Sequence, residues 1–185
     1  MPVSYLDAAP EDLPAALEGY HHYVRSSPAT FGIEPVSVDA RGCGFEEHPG
    51  DGPHPLLVAG SPEEGLLGGA SSSEFRPLSA CSTPLKTSVY VCLGAPPGGP
   101  ESGLYHRLFE QFSLEDLERA VAGMTVPNPA PEALDFLFGF APVGTFPLVG
   151  RKFGRCWDAR GTGKDLRPQA PDASRAGREA GREDR

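Results

Sequence analysis

Residues 89–109 of this 185-residue chain read VYVCLGAPPGGPESGLYHRLF. The β-branched and aromatic start predicts a strand and the Gly- and Pro-rich middle a turn. The end predicts a helix that carries Leu104, Leu108 and Phe112 on one face. Such a turn, followed by a helix N-terminus, suits a phosphate or pyrophosphate group. The glycine spacing fits no strict nucleotide-binding motif and the prolines lack an N–H, so a flexible loop without a ligand stays open.

The rest of the chain continues this alternation of strands and helices. Hydrophobic periodicity and turn residues predict strands at 3–6, 56–59, 66–75, 88–91 and 119–126, and a strand pair within 143–158 with turns at Gly150 and Gly154. They predict helices at 11–24, 104–112 and 131–138, and a weak one at 36–48. This order indicates an α/β domain of the α+β type, with a mixed sheet and helices on its faces. Three consecutive strands without crossover helices exclude a doubly wound fold.

Charge and composition limit the partners. The formal net charge is −9, which argues against a surface for nucleic acid or anionic membranes. The sequence has no run of 18 apolar residues, so we expect no membrane-spanning helix. The first residues do not resemble a signal peptide. The four cysteines are widely spaced and form no metal-binding motif. We therefore expect free thiols, a cytoplasmic protein and no metal.

The last residues differ in composition from the others. Residues 159–185 contain seven Arg/Lys, five Asp/Glu and no aromatic residue. Such a segment buries too little apolar surface to offset its ordering entropy. We expect one domain at 1–158 and a disordered polar tail at 159–185, with a nucleic-acid-binding tail as the alternative.

Several stretches of the chain resemble the GNAT superfamily of acetyl-CoA-dependent acyltransferases, and most of all its phosphinothricin N-acetyltransferase branch. They are HYVRSSPATFGIEPVSV (22–38), FEEHPGDGPHPLLVA (45–59), GGASSSEFRP (68–77), SVYV (88–91), GLYHRLFEQF (103–112), RAVAGMTVPNPA (119–130) and GFAPVGTFPLVGRKFGRCWD (139–158). The resemblance implies a mixed sheet of six to seven strands flanked by about four helices, acetyl-CoA as co-substrate, and a homodimer.

The resemblance also implies where acetyl-CoA binds. The SVYV strand would offer backbone hydrogen bonds to the pantetheine, and the loop with the following helix start would hold the pyrophosphate. The implied contacts are Val89, Tyr90, Val91, Pro97, Gly98, Gly99, Pro100, Glu101, Ser102 and Asn128. From the residues alone, the two valines also suit a strand core, and Asn128 also suits a helix cap or turn.

The chain departs from the family pattern at three places. The loop carries Pro96 where relatives have a basic residue and Glu101 where they have a glycine. Lys86 takes the position of the family's usual Glu, which accepts a proton from the substrate ammonium. Lys86 would act as a base only if burial lowered its pKa, and the alternative is a solvated lysine. Asp135 replaces a common His, and we expect a solvated residue there, with a role in accepting a proton as the alternative.

Four further residues are candidates for the reaction. The resemblance gives Tyr105 the protonation of the leaving thiolate, with a buried core tyrosine as the alternative. It places Phe31, Arg76 and Lys152 near the acceptor. Phe31 also suits the core and Arg76 also suits the surface.

The sequence therefore predicts an N-acetyltransferase that acts by direct attack on a small amino-acid-like amine, of the phosphinothricin or methionine sulfoximine type. The departures at Lys86 and in the loop keep a second hypothesis open, a GNAT-fold binding or scaffold protein without catalysis. A regulatory protein that senses an amino acid is a third.

Overall fold

The computed structural model describes residues 3–38, 48, 52–96 and 99–167. The strands are β1 Ser4–Asp7, β2 Leu56–Ser61, β3 Gly65–Glu74, β4 Pro84–Val91, β5 Arg119–Val126, β6 Ala141–Lys152 and β7 Arg155–Asp165. The α-helices of this part are α1 Leu13–Ser26, α2 Pro100–Phe112 and α3 Pro129–Leu137. Short 3-10 turns lie at Pro10–Asp12 and Ser79–Cys81.

All seven strands form one mixed sheet in the order β1-β2-β3-β4-β5-β7-β6. The β4–β5 pair is parallel, and the other neighbours are antiparallel. Successive side chains of a strand point to opposite faces. On β4, Leu85 packs in the core with α2, whereas Tyr90 contacts Tyr20 of α1. The two helices therefore cover opposite faces of the sheet. The predicted α/β class and the predicted sheet of six to seven strands are confirmed.

The main core lies between α2 and the sheet. Its buried members are Leu57, Ala59, Ala70, Leu85, Leu104, Tyr105, Leu108, Phe112, Leu117, Ala120, Ala122 and Phe140. The absence of a side chain at Gly103 lets α2 approach β1 closely, because a Cβ there would overlap the Tyr5 ring. The spacing of Leu104, Leu108 and Phe112 that predicted α2 is the spacing that buries its face.

The structure corrects two element predictions. β4 begins at Pro84, four residues before the predicted start. Gly150 is no turn but pairs with Trp157, and the turn lies at Phe153 and Gly154, which both have positive φ. A bulge before Gly150 holds Leu148, whose N–H donates to Asp158. The described residues contain three α-helices in full, and the predicted helix at 36–48, which would be the fourth, lies mostly outside them.

The predicted tail boundary at residue 158 is wrong. β7 continues to Asp165, and residues 159–165 pair with β5 from Thr125 to Arg119. The composition of this segment alone predicted disorder. Backbone pairing on both sides and the complete burial of Thr162 stabilise it as a strand. Residues 168–185 of the predicted tail lie outside the described residues.

Candidate functional site

A cleft opens where β4 and β5 separate. These parallel strands pair only at Pro84–Lys86 with Arg119–Val121, and beyond that point a cleft of about 390 Å³ lies between them. The N–H of Cys92 donates to Leu67 of β3. Because backbone groups alternate in direction along an antiparallel ladder, those of Val89 and Val91 face the cleft. The Val91 carbonyl accepts a hydrogen bond from Tyr23 (2.8 Å), which ties α1 to this strand.

The cleft brings together six of the predicted site residues: Val89, Tyr90, Val91, Glu101, Tyr105 and Asn128. Asn128 stands at the N-cap position of α3, but its side chain makes no capping hydrogen bond. The side-chain amide of Asn128 therefore does not act as the helix cap that the sequence offered as an alternative role.

Three further predicted cofactor contacts are described by the structure and do not line the cleft. Gly99 is the N-cap of α2 and Pro100 begins the helix with its ring buried. Ser102, the third residue of the helix, is half-buried and is not part of the cleft wall. Pro97 and Gly98 lie outside the described residues.

A buried hydrogen-bond network forms one wall of the cleft. Tyr105 donates to Oδ1 of Asp135 (2.8 Å), and Thr162 donates to Oδ2 (2.6 Å). Asp135 is only 3% exposed, so the expected solvated aspartate is wrong. Burial raises the pKa of Asp135, and hydrogen bonds from Thr162 and Tyr105 oppose that rise. Burial and the neighbouring Asp135 raise the pKa of Tyr105 above its usual value, so the phenol stays protonated at neutral pH.

The charges of the cleft are unusual for a site that would accept an anion. Glu101 lies in the first turn of α2, and Asp135 lies on α3. Among the described residues that line the cleft there is no Lys or Arg. Binding of a pyrophosphate by these residues would depend on backbone N–H groups at the start of α2.

A second cavity of about 410 Å³ lies on the α1 face of the sheet. Ser88, Tyr90 and Val91 line both cavities, so β4 forms the wall between them. Lys86 lines this second cavity and is exposed. Its exposure matches the solvated lysine rather than a buried base.

The three predicted acceptor residues line neither cavity. Phe31 is 38% exposed, and its ring packs against Gly150, where a Cβ would overlap it. Arg76 is exposed, with its guanidinium 5.5 Å from the centre of the Phe75 ring. The described contacts give no support for these residues in acceptor binding, because each side chain packs elsewhere.

Lys152 has a structural role instead. It is 5% exposed and donates to the carbonyls of Tyr23 (3.1 Å), Ser27 (2.7 Å) and Thr30 (2.9 Å). An ammonium has three donors, and all of them are used at the C-terminal end of α1. The predicted binding of substrate by Lys152 is therefore wrong.

Sequence reasoning missed Tyr23, Thr87 and Thr162. Tyr23 and Thr87 line the cleft, and the Thr162 hydroxyl donates a hydrogen bond to the Asp135 carboxylate. The apolar period of α1 places Tyr23 on its buried face, which was a usable signal. Thr162 carried no signal, since its partner lies 27 residues away.

No group of three or more His, Cys, Asp or Glu side chains among the described residues could hold a metal ion. No helix in that part of the chain is long and apolar enough to cross a membrane.

Comparison with curated proteins found close relatives. The chain is 46% identical over 149 residues to a phosphinothricin N-acetyltransferase of Streptomyces coelicolor, covering 80% of this chain and 87% of the relative. It is 45% identical over 160 residues to an N-acetyltransferase of Streptomyces griseus, covering 84% and 82%. It is 32% identical to the L-methionine sulfoximine/L-methionine sulfone acetyltransferase of Pseudomonas aeruginosa, covering 85% and 91%. No protein-family model matches the chain.

Solved structures share the fold. The yncA protein of Salmonella typhimurium, solved with its cofactor acetyl-CoA, superimposes with a TM-score of 0.85 at 28% identity, covering 94% of this chain and 99% of that one. An N-acetyltransferase of Staphylococcus aureus gives a TM-score of 0.84 at 29% identity, covering 90% and 100%. The separated β4 and β5 strands and the cleft between them define the class, an acetyltransferase of the GNAT fold. Within that class, the chain belongs to the phosphinothricin N-acetyltransferase family.

Proposed function

We propose that the enzyme transfers the acetyl group of acetyl-CoA to the amine of a small amino-acid-like acceptor, such as phosphinothricin or L-methionine sulfoximine. The observation that carries this proposal is the pair of cavities that meet at β4. One would admit the thioester and the other the amine, so that the two reactants meet at the strand between them. The acceptors named are those in the names of the relatives from Streptomyces coelicolor and Pseudomonas aeruginosa.

The cleft fits the pantetheine arm of acetyl-CoA. That arm is a slender chain with two amide groups, and the backbone groups of Val89 and Val91 face the cleft without a β5 partner at those positions. In this proposal they hydrogen-bond those amides, while Asn128 lies along the opposite wall. The acetyl-CoA in the Salmonella typhimurium structure supports the assignment.

The reaction needs a proton at the leaving sulfur. The acceptor nitrogen forms a bond to the thioester carbon, the carbon–sulfur bond breaks, and the nitrogen loses its proton to solvent. Tyr105 is our candidate for protonating the thiolate, since it lies at the cleft wall. Its O–H donates to Asp135 here. If the phenol turns from Asp135 to the sulfur, its proton passes to the thiolate, and the proton that the nitrogen loses restores the phenol through solvent.

We also propose that the enzyme works as a cytoplasmic homodimer without a nucleic-acid partner. The described cysteines Cys81, Cys92 and Cys156 are free thiols, which suits a reducing compartment. The β6–β7 edge exposes several large apolar side chains, which suits an interface between copies: Val143, Phe146, Leu148, Val149 and Phe153. Sedimentation of the wild type and of Phe146→Asp tests the dimer, which the variant should weaken.

The test of the reaction is release of CoA thiol from acetyl-CoA, with phosphinothricin and L-methionine sulfoximine as acceptors. We expect acceptor-dependent turnover, and a kcat at least tenfold lower in Tyr105→Phe. Arg107→Met, which changes an exposed pair with Glu110 on the outer side of α2, is the control. Binding of acetyl-CoA without turnover of any amine would favour the second hypothesis, a GNAT-fold binding or scaffold protein without catalysis.

A further inference from the structure

The cavity on the α1 face is locally cationic in an acidic chain. Its described lining residues include one lysine, one histidine, two tyrosines and one cysteine, and no carboxylate: Lys86, His48, Tyr20, Tyr90 and Cys92. The chain as a whole has a formal charge of −9. A small anion is therefore favoured in this cavity over a second cation.

Lys86 stands at the point where the two cavities approach each other. It is the last residue of β4 that pairs with β5, opposite Val121. Alternation along the strand places Lys86, Ser88 and Tyr90 on the α1 face. Thr87 and Val89 face the cleft that would hold the thioester. The Lys86 ammonium makes no ion pair with a described residue.

Hydroxyl groups surround Lys86 on the same face of the sheet. Ser73 lies directly across from Lys86 on β3, and Ser71 lies directly across from Ser88. Directly opposed residues of an antiparallel pair have Cβ atoms about 4.5–5.5 Å apart. All three serines line the cavity. One ammonium with three neighbouring hydroxyl donors is a set that binds a carboxylate by charge-assisted hydrogen bonds.

We propose that Lys86 and the serines around it bind the α-carboxylate of the acceptor, and that this cavity therefore selects amino acids over their neutral derivatives. The inference rests on the proposed function, and it names the residue that recognises the carboxylate of the acceptor. In an α-amino acid the carboxylate and the amine are bonded to the same carbon. A carboxylate held at Lys86 therefore places the amine beside β4, where the thioester cleft begins.

Paired acceptors test this assignment. The measurement is kcat/KM for L-methionine sulfoximine and for its carboxamide, in the wild type, Lys86→Met, Lys86→Glu and Lys86→Arg. A hydrogen bond to a charged group predicts that Lys86→Met lowers kcat/KM for the acid by about 10- to 100-fold and leaves the carboxamide within about threefold. Lys86→Glu should reverse the preference, and Lys86→Arg should keep it. The exposed Arg107→Met controls for loss of a distant positive charge.

The opposite results are equally clear. An equal loss of kcat/KM for acid and carboxamide in Lys86→Met, or no loss for either, would overturn the assignment. If the wild type acetylates neither compound, the proposed function fails, and calorimetric titration of both compounds in the presence of CoA still decides the site. Tighter binding of the acid than of the carboxamide in the wild type but not in Lys86→Met would support it. Equal binding of the two compounds would refute it.

Discussion

Replacing Tyr105 with Phe tests the buried network most cleanly. The substitution removes one O–H and keeps the ring, whose centre lies 4.9 Å from that of Phe138. Oδ1 of Asp135 then loses its donor, while Thr162 still donates to Oδ2. A hydrogen bond to a charged group contributes about 1.5–3 kcal/mol. We therefore expect Tyr105→Phe to lower the free energy of unfolding by about 1.5–3 kcal/mol near neutral pH.

The loss should depend on pH in a defined direction. Burial raises the pKa of Asp135 in the folded state, and the Tyr105 hydrogen bond opposes that rise. A group with a raised folded pKa contributes stability that is present below its unfolded pKa and is lost as pH rises through the folded pKa. Without Tyr105 the folded pKa rises further, so more stability is lost on going to neutral pH. Once the pH falls below the folded pKa of Asp135, the same bond joins two neutral groups and contributes only about 0.5–1.5 kcal/mol.

The assay is urea unfolding followed by circular dichroism, at several pH values from about 4 to about 8. Tyr23→Phe is the matched control, because Tyr23 donates to a neutral backbone carbonyl. Its loss should be about 0.5–1.5 kcal/mol and constant over this range. A Tyr105→Phe loss that stays constant with pH, or falls as pH rises, would refute a charged Asp135 stabilised by Tyr105.

Other predictions concern packing, capping and alkaline stability. Lys152→Met should lower the free energy of unfolding by about 2–4 kcal/mol, because three carbonyls at the end of α1 lose a charged donor; urea unfolding measures this. Gly103→Ala should cost about 1–3 kcal/mol through overlap with the Tyr5 ring, and Tyr5→Ala in the same chain should relieve part of it. Burial raises the pKa of Tyr105, so the unfolded chain ionises first and stability should fall as pH rises above about 10. An optical titration should then show one of the five tyrosines ionising only on unfolding.

Local patterns predicted most of the fold. The strand at 119–126 has the observed bounds, because its alternating burial lies between the polar Glu118 and Pro127, which disfavours a continued strand. The helix at 104–112 was correct but began too late, since Pro100 and Glu101 read as loop although proline suits the first turn of a helix. The first half of β4 was missed because it contains Pro84 and Lys86, residue types that are depleted in strands.

Long-range contacts explain what the sequence could not predict. Asp135 reads as a solvated residue on a helix, and only Tyr105 and Thr162, 30 and 27 residues away, make it a buried one. Lys152 reads as a ligand-binding cation until its carbonyl partners, more than 120 residues earlier, are known. The charged end of β7 lacks an apolar pattern, and its order comes from pairing with strands on both sides.

The proposed function depends on the binding of acetyl-CoA between the separated strands β4 and β5. Its most direct test is calorimetric titration of acetyl-CoA into the wild type, Gly123→Trp and Gly144→Trp. A Cβ at either glycine meets no atom within 4 Å, but only Gly123 lines the cleft. We expect binding in the micromolar range for the wild type and Gly144→Trp, and none for Gly123→Trp. Equal binding by all three proteins, or no binding by the wild type at millimolar acetyl-CoA, would contradict it.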